Sequence, residues 1–363
     1  MQTLNRRYDI DWVRVIAIGL LLIYHIAIGF QPWGIMIGFI TNSKPWESLW
    51  TPMTMLNVWR IPLLFYVSGM GVYFALQNRN WKELITERAR RILLPFVFGM
   101  LCIVPLHIYL FEFNYNWKLT YSPNPAHLWF LGNIFVYVLI LSPVFFYLKK
   151  NEEGKVVSMI KKLLSTPLGL LLVIIAFMAE VFLVNPTPYE LYAMTWHGFF
   201  LGLLAFFTGF CFVLSGFSFW NMLLKWRWLF FFAAASLFFY RLMQLQMRVP
   251  TYLLSIESNF WIFTVFAFAH RYLNRPGKTL SYLSEAAYPV YIMHMIFLYL
   301  ASLLIFPLDI APPMKFFLAI AFTGIGSLVF YEFIIRRINV IRPLYGLKPK
   351  RHHEENSRSR VLL

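Results

Sequence analysis

Apolar positions in this chain fill continuous runs rather than alternating or recurring every third or fourth residue. Ten runs suffice to cross a bilayer as helices, which takes about 17–25 residues each. They are Ile10–Phe30, Met53–Leu76, Ile92–Phe111, Leu128–Leu148, Leu163–Val184, Gly198–Phe217, Trp228–Leu242, Tyr252–Ala269, Ala286–Ile305 and Phe316–Ile335. The hydrocarbon core satisfies backbone polar groups only within helices or closed barrels, and runs of this length without period-two alternation predict helices. The expected fold is therefore all-α, a polytopic membrane bundle of about ten transmembrane helices. The seventh run is short and close to the sixth. Without it there would be nine spans, with the termini on opposite sides. Ala27-Ile-Gly29 imitates a signal-cleavage site, but Arg14 and His25 interrupt the apolar run, so the first helix is expected to be retained.

Composition agrees. Of 363 residues, 60% are hydrophobic and 13% charged, against about 45–50% and 25% in ordinary globular domains. A water-soluble domain, a disordered chain and a collagen-like fibre are excluded. The 32 Lys and Arg outnumber the 16 Asp and Glu, a balance that in a soluble chain would suggest nucleic acid. Their placement gives a different meaning. With ten spans, 25 of the 32 fall on one side and 5 on the other, and Arg14 and Arg60 lie within spans. By the positive-inside rule both termini are expected in the cytoplasm, and no nucleic-acid partner is expected. Residues 1–345 read as one membrane domain and 346–363 as a basic, disordered cytoplasmic tail beside anionic lipid. Cys102 and Cys211 sit in apolar runs and give no disulfide framework. No internal repeat and no appended soluble domain are expected.

Ionisable groups inside spans are costly unless paired or facing a cavity, so each is a candidate for function. Arg14 and His25 are eleven residues apart, about three helical turns, which puts both side chains on one face roughly 16 Å apart along the axis. An elongated anionic molecule entering from the cytoplasm would be held at Arg14 and react at His25. The plainer alternative is that Arg14 snorkels or pairs with Asp11 while His25 bonds a neighbouring helix. Arg60 lies several residues inside the outer interface, near Pro62 and Ser68-Gly69, and either snorkels outward or faces substrate. Arg88 and Arg91 share a face at the expected start of the third helix, where free N–H groups and arginine forks suit phosphate, or they simply mark the cytoplasmic side. His294 is deep in the ninth span, with Tyr288, Tyr291 and Glu285 before it. His107, His127 and His197 read as interfacial or structural, and Glu257 and Glu332 as partners for basic groups.

There is no HExxH, CxxC or clustered aspartate pair for a metal, and no GxxxxGK[ST] or GxGxxG loop for a nucleotide. The residues leave three readings open: a membrane enzyme acting on an elongated anionic molecule, a transporter or conduit lined by Arg14, Arg60 and His25, and a non-catalytic scaffold.

The Arg14-x10-His25 pair, the Arg60…LLFYVSG stretch and Arg88-x-x-Arg91 resemble the acyltransferase 3 family, in order and spacing from about residue 8 to 345. AAYPVYIMH, ending at His294, is similar to that family's S-Y-S-x-Y-L-x-H region, with Ala286 and Ala287 where serines stand. WRIPLLFYVSG, ERARR, HLWFL, FAHRYLN and VFYEF look closest to the glucans biosynthesis protein C branch, which succinylates periplasmic glucans. The resemblance implies an inner-membrane enzyme that moves an acetyl or succinyl group from cytoplasmic acyl-CoA to a carbohydrate hydroxyl outside the cytoplasm. The acceptor would be a periplasmic glucan, exopolysaccharide or lipid-linked sugar. Acyl-CoA would be a co-substrate, with no permanently bound cofactor and no metal. His25 would be the catalytic histidine and general base, and Arg14, the other residue placed in the catalytic set, would help Arg88 and Arg91 to hold the donor. Tyr291 and His294 would position the acceptor or polarise the thioester, and Arg60 and Glu285 would complete substrate binding. Envelope-assembly proteins are expected partners where the acceptor is passed on.

Overall fold

A computed structural model describes residues 6–244 and 247–350. Among them every regular element is helical. Nine helices are long and apolar enough to span a membrane: α1 (Tyr8–Ile28), α2 (Glu47–Ala75), α3 (Trp81–Asn114), α4 (Ala126–Lys150), α6 (Pro167–Val184), α7 (Trp196–Leu214), α10 (Thr251–Tyr272), α11 (Lys278–Ile305) and α12 (Pro312–Ile335). The amphipathic α5 (Lys155–Leu164) links α4 to α6. Two shorter helices, α8 (Gly216–Lys225) and α9 (Arg227–Met243), are bent by 58° to each other and together are long and apolar enough for a broken span or a re-entrant loop. The chain is a multi-pass membrane protein.

The expected seventh run is thus realised as α9. The sixth ends earlier than Phe217, at Leu214, because Gly216 adopts φ +65° and starts a new helix. The third helix begins about three turns before Ile92. Asn80 and Glu83 form a reciprocal capping box there, so the chain is helical from Trp81. Arg88 and Arg91 therefore sit in the helix body. The free N–H groups expected beside them belong instead to the first turn after Asn80.

Prolines shape the helices that meet at the centre. A proline has no N–H to give the carbonyl four residues back, and at two positions of this fold another side chain takes that carbonyl. Pro62 leaves Val58 O free, α2 breaks at Val58–Trp59, and the Tyr192 hydroxyl donates to Val58 O at 3.0 Å. Pro105 leaves Leu101 O free, and Tyr121 donates to it at 3.0 Å from the α3–α4 loop. The same helix contains two π turns, Ala89–Leu93 and Gly99–Ile103, which rotate its face within a short length.

Small residues set the closest helix pair. A Cβ on Gly69 of α2 would lie 1.9 Å from Phe206 O of α7, and one on Gly209 would lie 2.1 Å from Tyr66 O. Glycine alone allows backbones to approach so closely. Several carboxylates in the bundle are paired: Glu257 accepts from Arg241 at 2.8 Å, Glu180 bonds His197 at 2.9 Å, and Glu332 accepts from Arg336 at 2.8 Å. Of the stretch expected to be a tail, residues 346–350 are attached to the bundle, with Lys350 N donating to Asn339. Residues 351–363 of that tail lie outside the described residues.

Gly69→Val is expected to lower stability by at least about 2 kcal/mol through overpacking. Gly19→Ala, with nothing within 4 Å of the new Cβ, is expected to be tolerated. Thermal unfolding of both variants in detergent, read by intrinsic fluorescence, checks the contrast.

Candidate active site

Two cavities lie along α1, one at each end of its Arg14–His25 face. The first, about 460 Å³, is walled by Arg14, Arg88, Arg91 and Arg342, together with Ser284 and Glu285. Arg14 donates to Asp11 at 2.9 Å and to Ser284 at 2.7 Å, so the pairing with Asp11 exists and leaves the arginine on the cavity wall. Arg88 donates to Gly71 O at 3.2 Å. Glu87 lies 3.4 Å from Arg88 Nε and 3.1 Å from Arg91 Nε, near enough for ion pairing, yet both nitrogens lack an aligned hydrogen bond. Arg342 donates to Glu285 at 3.1 Å. Gly346, at φ +72°, closes this cavity where a Cβ would strike the Tyr288 ring at 2.4 Å. Positive groups outnumber negative ones on this wall, and forked guanidinium donors suit phosphate oxygens.

The second cavity, about 850 Å³, holds His25, His107, His127 and Arg60 among the rings of Trp33, Trp50, Trp117 and Tyr192. It is wider and mixes aromatic faces with amide and carboxylate groups, including Asn57, Asn124, Glu112 and Glu190. Arg60 is 3% exposed and stacks on the Tyr24 ring at 3.6 Å. It neither snorkels outward nor joins the other arginines.

His294 of α11 stands behind His25, their rings parallel within 7° and 5.2 Å apart. The hydrogen bonds assign their tautomers. Tyr291 O, a carbonyl, can only accept, so His294 Nδ1 carries the hydrogen that meets it at 2.6 Å. A neutral His294 then presents a lone pair at Nε2. His25 Nδ1, 2.9 Å away, is accordingly the donor. This leaves the lone pair of His25 on Nε2, which has no partner among the described residues. The chain Tyr291 carbonyl, His294, His25 thus presents an unprotonated imidazole nitrogen to the cavity.

Tyr291 lies between the two cavities. Its ring borders the arginine cavity, and its hydroxyl donates to His127 O, on the wall of the other. His127 in turn sits 5.2 Å from His294 and 5.5 Å from His107, ring to ring, and its Nε2 meets Ile292 O at 3.2 Å. Of the residues singled out from sequence, Arg14, Arg88, Arg91, Glu285 and Tyr291 come together in the first cavity. His25 and Arg60 line the second, with His294 behind. His107 and His127, read from sequence as interfacial or structural, line the histidine cavity. Their only signal was an ionisable ring near the same end of adjacent apolar runs. Arg342 and the Gly346–Lys348 segment carried no signal, since they come from the far end of the chain. Among the described residues no group of three His, Cys, Asp or Glu is placed to hold a metal ion.

A family model described as an acyltransferase domain, of the acyltransferase 3 type, matches residues 7–332. The chain belongs to the acyltransferase 3 family. Compared with curated proteins and with solved structures, it finds no match. The match encloses every candidate residue named from sequence, and the activity is that of a membrane acyltransferase whose acyl group is not an aminoacyl group. Membership decides against the conduit and scaffold readings.

His294 is expected to act by fixing the tautomer of His25. Removing its acceptor with His294→Leu should cut acyl transfer by about 10²-fold or more, while His294→Gln, which keeps an acceptor, should recover a measurable part of it. Turnover of both variants at equal membrane abundance checks this, because simple loss of packing would not be rescued by glutamine.

Proposed function

We propose that the protein is an inner-membrane O-acyltransferase that takes an acetyl or succinyl group from acyl-CoA at the arginine cavity and delivers it to a carbohydrate hydroxyl in the histidine cavity. Both termini and the arginine cavity face the cytoplasm in this reading, in line with the strong bias of basic loops. The observation that carries the proposal is the arrangement of two chemically unlike cavities on one face of α1, separated at Tyr291. Arg14, Arg88 and Arg91 engage the CoA phosphates, and the pantetheine arm extends along α1 to bring the thioester to His25. The aromatic walls and amide groups of the wider cavity suit the mixed apolar and hydroxyl surface of a sugar. A periplasmic glucan, an exopolysaccharide unit or a lipid-linked sugar all present such a hydroxyl. The likeness of several segments to the glucans biosynthesis protein C branch favours the first of these.

The chemistry follows from the free lone pair. His25 Nε2 accepts the proton of the acceptor hydroxyl as its oxygen attacks the thioester carbonyl carbon. The carbon–oxygen bond forms, the carbon–sulfur bond breaks, and the departing thiolate takes the proton back from His25 Nε2. His294 holds His25 Nδ1–H throughout, so the base returns to its starting tautomer. Donor and acceptor are the only small-molecule partners required. The bilayer supplies the solvent, and an envelope-assembly protein would receive the product where the sugar is passed on.

His25→Ala should leave membrane abundance unchanged and lower transfer from radiolabelled acyl-CoA to an oligosaccharide by about 10³-fold or more. Arg14→Ala should act chiefly by raising the KM for acyl-CoA. Full activity of His25→Ala in the purified enzyme would exclude this chemistry. Mass spectrometry of envelope glycans from cells with and without the protein identifies the acceptor and the acyl group.

A further inference from the structure

Arg60 occupies an unusual position for a cation. It lies at the start of the second half of α2, directly after the Val58–Trp59 break, with 3% of its surface exposed. Its Nε and Nη1 are buried without a hydrogen-bond partner, and among the described residues it forms no ion pair. A buried guanidinium left this way costs several kcal/mol of desolvation unless something completes it. Stacking on Tyr24 at 3.6 Å supplies only part of that.

The carboxylates on the same cavity wall are committed elsewhere. Glu112 accepts from Thr120 N at 2.7 Å and from the Thr120 hydroxyl. Glu190 leans toward Arg241, 3.9 Å away, whose principal partner is Glu257 at 2.8 Å. Position relative to the reacting centre is equally specific. The Tyr24 ring under Arg60 is 6.1 Å from the His25 ring, and both His25 and Arg60 line the 850 Å³ cavity. The first residues of Arg60–Ala75, Arg60 and Ile61, line the same cavity, and a helix N-terminus adds to the positive potential near it.

We propose that Arg60 is an anion-binding subsite of the histidine cavity, receiving a carboxylate or phosphate of the substrate held at His25. Two sources carry that chemistry: the terminal carboxylate of a dicarboxylic acyl chain, or an acidic substituent on the acceptor sugar. The inference rests on the acyltransferase reading above. It adds that one of the two substrates is negatively charged close to the reacting hydroxyl and thioester. Loss of a charge-assisted hydrogen bond costs about 1.5–3 kcal/mol, or roughly 10- to 150-fold.

The test uses the purified full-length enzyme and compares wild type with Arg60→Met and Arg60→Lys. Four reactions are run: acetyl-CoA and succinyl-CoA, each with a neutral and with a phosphate- or uronate-bearing oligosaccharide. If the acyl chain is the source, Arg60→Met lowers the succinyl-to-acetyl ratio of kcat/KM by at least about tenfold with either acceptor, and Arg60→Lys restores part of it. If the acceptor is the source, the acidic-to-neutral acceptor ratio falls instead with either donor. Equal loss, or no loss, across all four reactions would overturn the subsite. Wild-type protein inactive in all four would count against the acyltransferase chemistry itself, a separate outcome.

Discussion

In a bilayer interior a polar group has no water to fall back on, and the organisation of this protein follows from how each such group is completed. Where completion is internal, the result is structural. Arg241 meets Glu257, His197 meets Glu180, and the Val58 and Leu101 carbonyls freed by Pro62 and Pro105 are met by Tyr192 and Tyr121. Several of the charged and imidazole groups whose completion is left unfinished line two cavities. Arg14, Arg88 and Arg91 share one, His25 and Arg60 the other. A low-dielectric surround makes unfinished polar groups costly, and it also strengthens their interaction with any ligand that completes them.

The helix distortions and the active site have a common origin. Pro62 breaks α2 just before Arg60, so the arginine begins a helix at the cavity wall instead of lying in a continuous turn. The π turn Ala89–Leu93 contains Arg91, and Gly346 at positive φ lets the chain after α12 close over the same cavity. On the opposite side of the site, α11 brings Tyr291 and His294 within one turn of each other. Its backbone carbonyl at Tyr291 then fixes the proton on His294, and His294 fixes the proton on His25. The tautomer of His25 thus traces back to a main-chain carbonyl.

Much of this was legible in the sequence wherever a single helix carried the information. Apolar run length located the spans, and the eleven-residue spacing of Arg14 and His25 placed them on one face because 100° per residue is a property of the helix itself. Motif order identified the family. What escaped depended on relations between helices. His107 and His127 were unremarkable within their own runs, yet packing of α3 and α4 against α11 brings them beside His294. Arg342 and Gly346 reach the arginine cavity through the chain's return after α12, for which no local pattern exists. The start of α3 was misplaced because WKELITERAR is too polar to register as part of an apolar run, although Asn80 and Glu83 carry a capping box readable in retrospect.

The central claim is that donor and acceptor occupy opposite ends of one catalytic path across the bundle. Proteoliposomes with uniformly oriented enzyme, labelled acyl-CoA at the Arg14 end and oligosaccharide at the His25 end of the bundle, measure this directly. The account predicts acylated oligosaccharide on the His25 side while the released CoA stays on the donor side. Product formed only when donor and acceptor share one compartment would contradict it.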